Sequence, residues 1–261
     1  MCDERLVHLF SMTVDMRNFL MTIRRRLLNR GYTCDGCGAE IFDYPEHRLC
    51  ARCEEKMPKI GRACPKCGRD TVAEGICLTC KADMPQFTKG IAAFSYKGEI
   101  AGVVNRMKNG NQRLAAYLGE RMADAVVPIL RESGEEPILI VPVPLTARRR
   151  KERGYNQAER LTESILWRLE EEGIDAVLET DLLQKRRETE LQKQKTRKER
   201  AENVCGAYHV HKRKVCEGKT ILLVDDILTT GATGSECARL LLSARAKEVI
   251  FLVAAALPEK Q

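Results

Sequence analysis

The run Leu223-Val224-Asp225-Asp226-Ile227-Leu228-Thr229-Thr230-Gly231-Ala232-Thr233 constrains the fold more than any other stretch, because it joins an apolar strand, an acidic pair and a hydroxyl-rich turn that opens a helix. Thr220 to Val224 is short, apolar and partly β-branched, the pattern of a central parallel strand, and Cys237, Leu240 and Leu241 give residues 234–243 helical apolar spacing. The turn between them therefore lies at a strand's carboxyl end. Open α/β sheets bind ligands there, and the N–H groups that start the next helix favour phosphate. Thr229, Thr230 and Thr233 add hydroxyl donors, and Gly231 lets the backbone approach a phosphate with no Cβ in the way. Asp225 and Asp226 can accept hydrogen bonds from a vicinal diol, so the pattern predicts a cradle for a ribose 5-phosphate.

A strand ending in two acids also occurs as the Mg-binding strand of ATPases, and Gly218-Lys219-Thr220 has the look of the end of a P-loop. That motif fails at its first glycine, whose place is taken by Arg213, and its Gly-Lys-Thr leads into a strand instead of a helix. A purely structural strand-turn-helix is the plain alternative. At every position the run resembles the phosphoribosyl pyrophosphate (PRPP) motif of type I phosphoribosyltransferases.

Other blocks narrow the resemblance. Val141-Pro142-Val143-Pro144-Leu145, then Arg153-Gly154-Tyr155-Asn156-Gln157-Ala158, then Thr189, Gln192, Arg200 and Asn203-Val204 resemble the ComF family in its own order, as does a cysteine-rich front end. The sequence departs from that family at Tyr155, where Phe is usual, and around Glu190 to Lys195, where the basic loop is more charged. Neither departure touches the PRPP motif.

Eight of the twelve cysteines form four CxxC knuckles, Cys34-x2-Cys37-x12-Cys50-x2-Cys53 and Cys64-x2-Cys67-x9-Cys77-x2-Cys80. This spacing suits two tetrahedral thiolate zinc sites, with Gly36, Gly38 and Gly68 at the tight turns. Pairing in sequence order is the preferred arrangement, with a crossed pairing left open. The segment holds too little apolar sequence for a core of its own, so metal would supply its stability; a disulfide framework is the alternative. Cys237 reads as core, while Cys2, Cys205 and Cys216 lack a partner at ligand spacing. His47, His209 and His211 read as structural or solvated, and Trp167 as a helix residue packed on a sheet.

The organisation expected is a basic amphipathic extension over 1–30, a double zinc ribbon over 31–84, a linker at Met84-Pro85-Gln86 and a phosphoribosyltransferase-like domain over 88–261. In the extension, Met16, Phe19, Leu20, Ile23 and Leu27 form a stripe among Arg17, Arg24, Arg25, Arg26 and Arg30, read as a packing helix or an overextended start in preference to a membrane-surface helix. No apolar run is long enough to span a bilayer and no signal-peptide core is present, which points to the cytoplasm. Strands are predicted at 91–96, 138–143, 176–178, 220–224 and 249–254, and helices at 99–108, 113–131, 155–172 and 234–244. Their alternation implies an α/β fold of the type I phosphoribosyltransferase kind: a mainly parallel sheet with helices on both faces, preceded by the small double zinc ribbon with four cysteines to each site.

Charge is concentrated. Gln184 to Lys219 carries 12 Lys or Arg against 5 Glu, a surplus equal to the +7 of the whole chain, and Arg148-Arg149-Arg150-Lys151-Glu152-Arg153 forms a second cluster. Such runs often face solvent, but a site for PRPP needs cations beside the Mg²⁺ that bridges its pyrophosphate. The phosphoribosyltransferase resemblance implies Asp225 and Asp226 as the catalytic pair holding the ribose diol, and Thr229, Thr230, Gly231, Ala232 and Thr233 around the 5-phosphate. Arg148, Arg149 and Arg153 would face the pyrophosphate. The stretch 184–203 would be a closing loop, with Gln192, Arg197, Lys198 and Arg200 available to ligand or nucleic acid. The ComF resemblance implies a cytoplasmic protein of natural transformation that handles single-stranded DNA with the uptake machinery, a helicase-type protein being a candidate partner. An active phosphoribosyltransferase acting on a base or amine, and a PRPP-sensing regulator, are the competing functions.

Overall fold

Between residues 32 and 84 the chain is organised around sulfur. The computed structural model describes residues 32–41, 49–132, 137–187 and 204–259; the stripe at 16–27, His47, Gln192, Arg197, Lys198 and Arg200 lie outside the described residues. In the first ribbon β1 (Tyr32–Thr33) and β2 (Glu40–Ile41) pair antiparallel and α1 (Ala51–Glu55) follows. The second ribbon, closed by α2 (Leu78–Ala82), repeats the first knuckle: the N–H groups of Cys34 and Cys64 donate to Ala39 and Arg69 carbonyls at 2.7 and 2.9 Å, and those of Gly38 and Gly68 return to the Cys34 and Cys64 carbonyls at 2.8 and 2.9 Å. Gly38 and Gly68 both sit at φ +74°, a left-handed conformation that disfavours a side chain.

The rest of the described chain alternates as the pattern predicts. In order come β3 (Lys89–Ser95), α3 (Glu99–Lys108), α4 (Arg113–Leu130), β4 (Ile138–Pro142), α5 (Ala147–Arg153), α6 (Gln157–Glu171), β5 (Ala176–Leu178), β6 (Leu183–Lys185), β7 (Tyr208–Val210), β8 (Thr220–Leu228), α7 (Ala232–Ser243) and β9 (Glu248–Ala256). Five of the strands form one wholly parallel sheet in the order β3-β9-β8-β4-β5, and β6 pairs antiparallel with β7 apart from it. The pleat sends Ile140, Leu222, Val224 and Leu252 into a core with α3, α4 and α6, and Val141, Ile221, Leu223 and Phe251 into a second core with α7 and the second ribbon. Both faces are thus covered, which is why these strands read as near-continuous apolar runs.

The ribbons are seated on this sheet. An ideal Cβ on Gly68 would lie 2.6 Å from the Gly90 carbonyl oxygen, so only glycine permits the approach of ribbon to β3. There the Gly90 N–H donates to the Lys66 carbonyl at 2.8 Å. At the chain's other end the Glu259 carboxylate accepts from the N–H groups of Leu78 and Val72 at 2.6 and 3.3 Å. Cys34, Leu49 and Met57 of the first ribbon join the core beneath α3 and α4.

Three local differences have physical causes. β8 runs through Asp225 and Asp226 to Leu228, because β9 continues to pair with it as far as Ala256; the acids lie in the strand itself, not in the turn. The basic cluster at 147–153 folds as α5, capped by the Thr146 hydroxyl and ended by Gly154 in a left-handed conformation. Trp167, expected against the sheet, is 53% exposed on α6, whose inward face is filled by Leu161, Ile165 and Leu169.

Candidate functional site

The site is built where a ladder stops. β4 pairs with β8 only as far as Pro142 opposite Val224, closed by the Val143 N–H on the Val224 carbonyl at 2.8 Å. From Asp225 onward β8 keeps β9 but loses β4, and a crevice opens. The chain leaves β4 toward β5 and leaves β8 toward β9, in opposite directions across the sheet. That is a topological switch point, the place where parallel sheets take ligands.

Asp225 and Asp226 stand at the mouth of this crevice and turn to opposite sides. Asp226 Oδ2 lies 2.9 Å from Lys108 Nζ at the end of α3. Asp225 accepts the Asp226 N–H at 2.9 Å, and its charge is felt at Tyr208 and Cys237 on the α7 side. Burial, and then the neighbouring Asp226 charge, push the Asp225 carboxyl up to about 7, against the opposing pull of that N–H, Lys108 and Lys185. A carboxyl held there exchanges its proton near neutral pH, whereas a solvated aspartate does not.

Beyond the acids, Gly231 at φ 84° turns the chain into α7, and the Ala232 N–H reaches the Thr230 hydroxyl at 3.4 Å. Tyr208 of β7 is buried and hydrogen-bonds the Thr233 side chain, with Lys185 of β6 above its ring at 5.1 Å; burial drives the phenol's pKa up. A cleft of about 140 Å³ that neither Asp225 nor Asp226 lines runs along Thr230, Gly231 and Ala232, walled by Asp83, Gln86, Glu236 and Arg239. The α7 N-terminus and its turn thus offer hydroxyls and N–H groups to an anion.

The Arg153-Gly154-Tyr155-Asn156 block braces this edge. Tyr155 hydroxyl donates to the Met107 carbonyl next to Lys108, a tether that a phenylalanine could not make. Asn156 donates to the Val143 carbonyl at 3.1 Å and caps α6 by accepting the Ala158 N–H at 3.1 Å. The arginines divide. Arg149 is half-buried and acts electrostatically on Tyr208. Arg148 pairs with Glu152 at 2.8 Å on the open side of α5, Arg150 with Glu159, and Arg153 is exposed.

The structure therefore places Asp225, Asp226, Thr229 to Thr233 and Arg149 at and beyond the carboxyl ends of β4 and β8. It adds Lys108, Lys185 and Tyr208, which no local motif marks. A lysine in a helix's last turn is the ordinary partner of the helix dipole, and the only sequence cue at Lys108 is the Asn109-Gly110 that ends α3.

The eight knuckle cysteines form two groups in sequence order, Cys34, Cys37, Cys50 and Cys53, then Cys64, Cys67, Cys77 and Cys80. The sulfurs of Cys37 and Cys50 stand 3.8 Å apart and those of Cys67 and Cys77 3.7 Å, far beyond a disulfide, and all eight are free thiols. Four sulfurs about 2.3 Å from a zinc stand roughly 3.8 Å apart, so both groups could hold the metal. N–H donors from Gly36 and Cys50 to Cys34 Sγ (3.3 and 3.2 Å), and from Cys77 to Cys64 Sγ (3.4 Å), supply the hydrogen bonds a thiolate requires. An ideal Cβ on Gly36 would meet Cys53 Sγ at 2.9 Å, which reserves that turn for glycine.

The phosphoribosyl transferase domain family matches residues 116–261. The chain is similar to competence protein ComFC of Bacillus subtilis, 27% identical over 205 residues that cover 76% of this chain and 79% of that protein. It is similar to DNA utilization protein YhgH of Salmonella typhimurium, 26% identical over 198 residues covering 74% and 84%, and to competence protein F of Haemophilus influenzae, 23% identical over 222 residues covering 83% and 86%. Among the described residues no helix is long and apolar enough to cross a membrane.

Metal analysis of reduced, freshly purified protein should return about two zinc ions per chain, one for each cysteine group. One or fewer would contradict the assignment.

Proposed function

Because the chain belongs to the phosphoribosyl transferase domain family, and joins that domain to two four-cysteine groups as a member of the ComF family, we propose that it binds PRPP at the β4–β8 crevice and serves DNA uptake by handling single-stranded DNA in the cytoplasm. The observation that carries the PRPP half is the acidic pair and the threonine-lined turn at one switch point. Asp225 and Asp226 accept from the ribose diol. Thr229, Thr230 and Thr233 with the α7 N–H groups hold the 5-phosphate, and Lys108 and Arg149 meet the pyrophosphate. The carboxylates are hard oxygen donors of the kind Mg²⁺ accepts, and a bound Mg²⁺ supplies charge neutralisation to the pyrophosphate. The zinc ions would supply folding free energy to the ribbons. The DNA half is supported by the relatives' names and by the basic surplus between Gln184 and Lys219.

A second reading, an active phosphoribosyltransferase, is favoured by Asp225. A carboxyl pushed up to about 7 can take a proton from an acceptor nitrogen as the ribose bond forms. Pyrophosphate release from PRPP across a panel of bases and amines, with and without single-stranded DNA, separates the two readings.

Asp225→Asn with Asp226→Asn should weaken Mg-PRPP by about a hundredfold or more, through two charge-assisted bonds of roughly 1.5 to 3 kcal/mol each, with the fold retained. Unchanged affinity by calorimetry would sink the cradle. The pH sign follows from Asp225: diol donors favour the carboxylate, so below about 7 binding must expel its proton. Affinity should therefore rise as pH climbs through 7 and then level. Asp225→Asn alone supplies the baseline, since the ligand's phosphate titrates near about 6 on its own.

Single-stranded DNA should bind sequence-independently and with steep salt dependence. Neutralising Arg197, Lys198 and Arg200 should lower both the affinity and the salt slope, by roughly 0.7 to 1 per lost phosphate contact. No binding at about 50 mM salt together with turnover of PRPP would replace the DNA reading with the enzymatic one.

A further inference from the structure

Arg69 lies in the second ribbon, is 5% exposed, and belongs to neither the cysteine groups nor the crevice. A buried guanidinium needs partners, because its charge and five donors are costly to desolvate. It has two. Nε donates to Cys67 Sγ at 3.4 Å, and Nη2 donates to the Thr229 carbonyl at 2.9 Å. One planar fork thus touches a candidate zinc ligand at one end and the first residue of the threonine turn at the other, across 160 positions of sequence. Among the described residues no carboxylate pairs with it.

Both ends of this link are held. The Arg69 carbonyl accepts the Cys64 N–H at 2.9 Å, and the carbonyl of the next residue, Asp70, accepts the Glu259 N–H at 2.9 Å. In the turn, the Leu228 carbonyl is taken by the Leu257 N–H at 2.9 Å, so two successive carbonyls, of Leu228 and Thr229, are anchored from outside the loop. Past them the turn is held by the 3.4 Å contact of Ala232 N–H with the Thr230 hydroxyl and by the Ser235 N–H on the Gly231 carbonyl. A trans peptide is planar, with C=O and N–H pointing opposite ways. Drawing the Thr229 carbonyl toward the ribbon therefore turns the Thr230 N–H the other way, as a donor to a ligand.

We propose that Arg69 is a positioning residue that ties the second cysteine group to the threonine turn and fixes the Thr229–Thr230 peptide as a donor to the 5-phosphate of the ligand. This rests on the PRPP reading of the crevice. The ribbon is then part of the phosphate site, and its contribution is confined to one half of PRPP. Ribose 5-phosphate lies over the turn, whereas pyrophosphate is met by Lys108 and Arg149, which Arg69 does not touch.

The experiment titrates the full-length protein by calorimetry with ribose 5-phosphate and, separately, with magnesium pyrophosphate, for the wild type, Arg69→Met and Arg69→Lys. Zinc content and melting are measured on each sample. Arg69→Met should keep two zinc ions, lose about tenfold in ribose 5-phosphate affinity and keep its pyrophosphate affinity. Arg69→Lys, which keeps a buried donor but cannot span both acceptors, should fall between. If the methionine variant misfolds, the lysine variant decides by the same ratio. Ribose 5-phosphate affinity within about twofold of wild type in the folded variants overturns the proposal. So does an equal loss for both ligands, which would show general loosening. A wild type that binds neither ligand overturns the PRPP reading, and the role of Arg69 with it; a wild type that binds both while Arg69 proves silent overturns only the tie.

Discussion

The end of the β4–β8 ladder at Pro142 and Val224 is the constraint on which the rest of the site depends. A parallel sheet leaves its strands' carboxyl ends open to ligands only where neighbouring connections part, and here they part between these two strands. Two residues that a buried strand would otherwise exclude, Asp225 and Asp226, fall at the first positions past the last shared hydrogen bond. Their cost is visible in Asp225, whose carboxyl burial drives up to about 7, and in the Lys108 ammonium that Asp226 holds at 2.9 Å.

Sulfur and sheet are interdependent. The ribbons lack an apolar core, so they borrow one: Cys34, Leu49 and Met57 pack under α3 and α4, and the second cysteine group joins the core that contains α7 and Phe251. The approach of Gly68 to Gly90 and the grip of Glu259 on the N–H groups of Val72 and Leu78 make the contact specific. Metal at the second group would therefore bear on the carboxyl end of the sheet, where the threonine turn lies, as well as on the ribbon.

Legibility in the sequence followed the range of the interactions. The β8–turn–α7 unit is local, and its apolar run, acids, threonines and Gly231 could be read in order; so could the knuckles, whose pairing in sequence order the sulfur positions bear out. The helix at 99–108 and the strand at 176–178 also fall where the periodicity puts them. The end of β8 was not legible, because Asp-Asp is a poor strand former and it is the continued pairing with β9, Asp225 with Val253, Ile227 with Ala255 and Leu228 with Ala256, that overrides that preference. Lys108 and Arg69 were hidden for another reason. Each meets a partner more than a hundred residues away, and at its own position each looks like an ordinary surface cation. Trp167 misled because a large aromatic on an amphipathic helix is usually packed, while here Leu161, Ile165 and Leu169 already fill the inward face.

The most direct test is amide hydrogen exchange on the zinc-loaded protein with and without Mg-PRPP. Peptides covering 225–233 should slow most, followed by those at the ends of α3 and β4, with the outer face of α6 around Trp167 unchanged. Unaltered exchange at 225–233 under saturating ligand, or protection centred elsewhere, would contradict the placement of the ribose-phosphate site at the β4–β8 crevice.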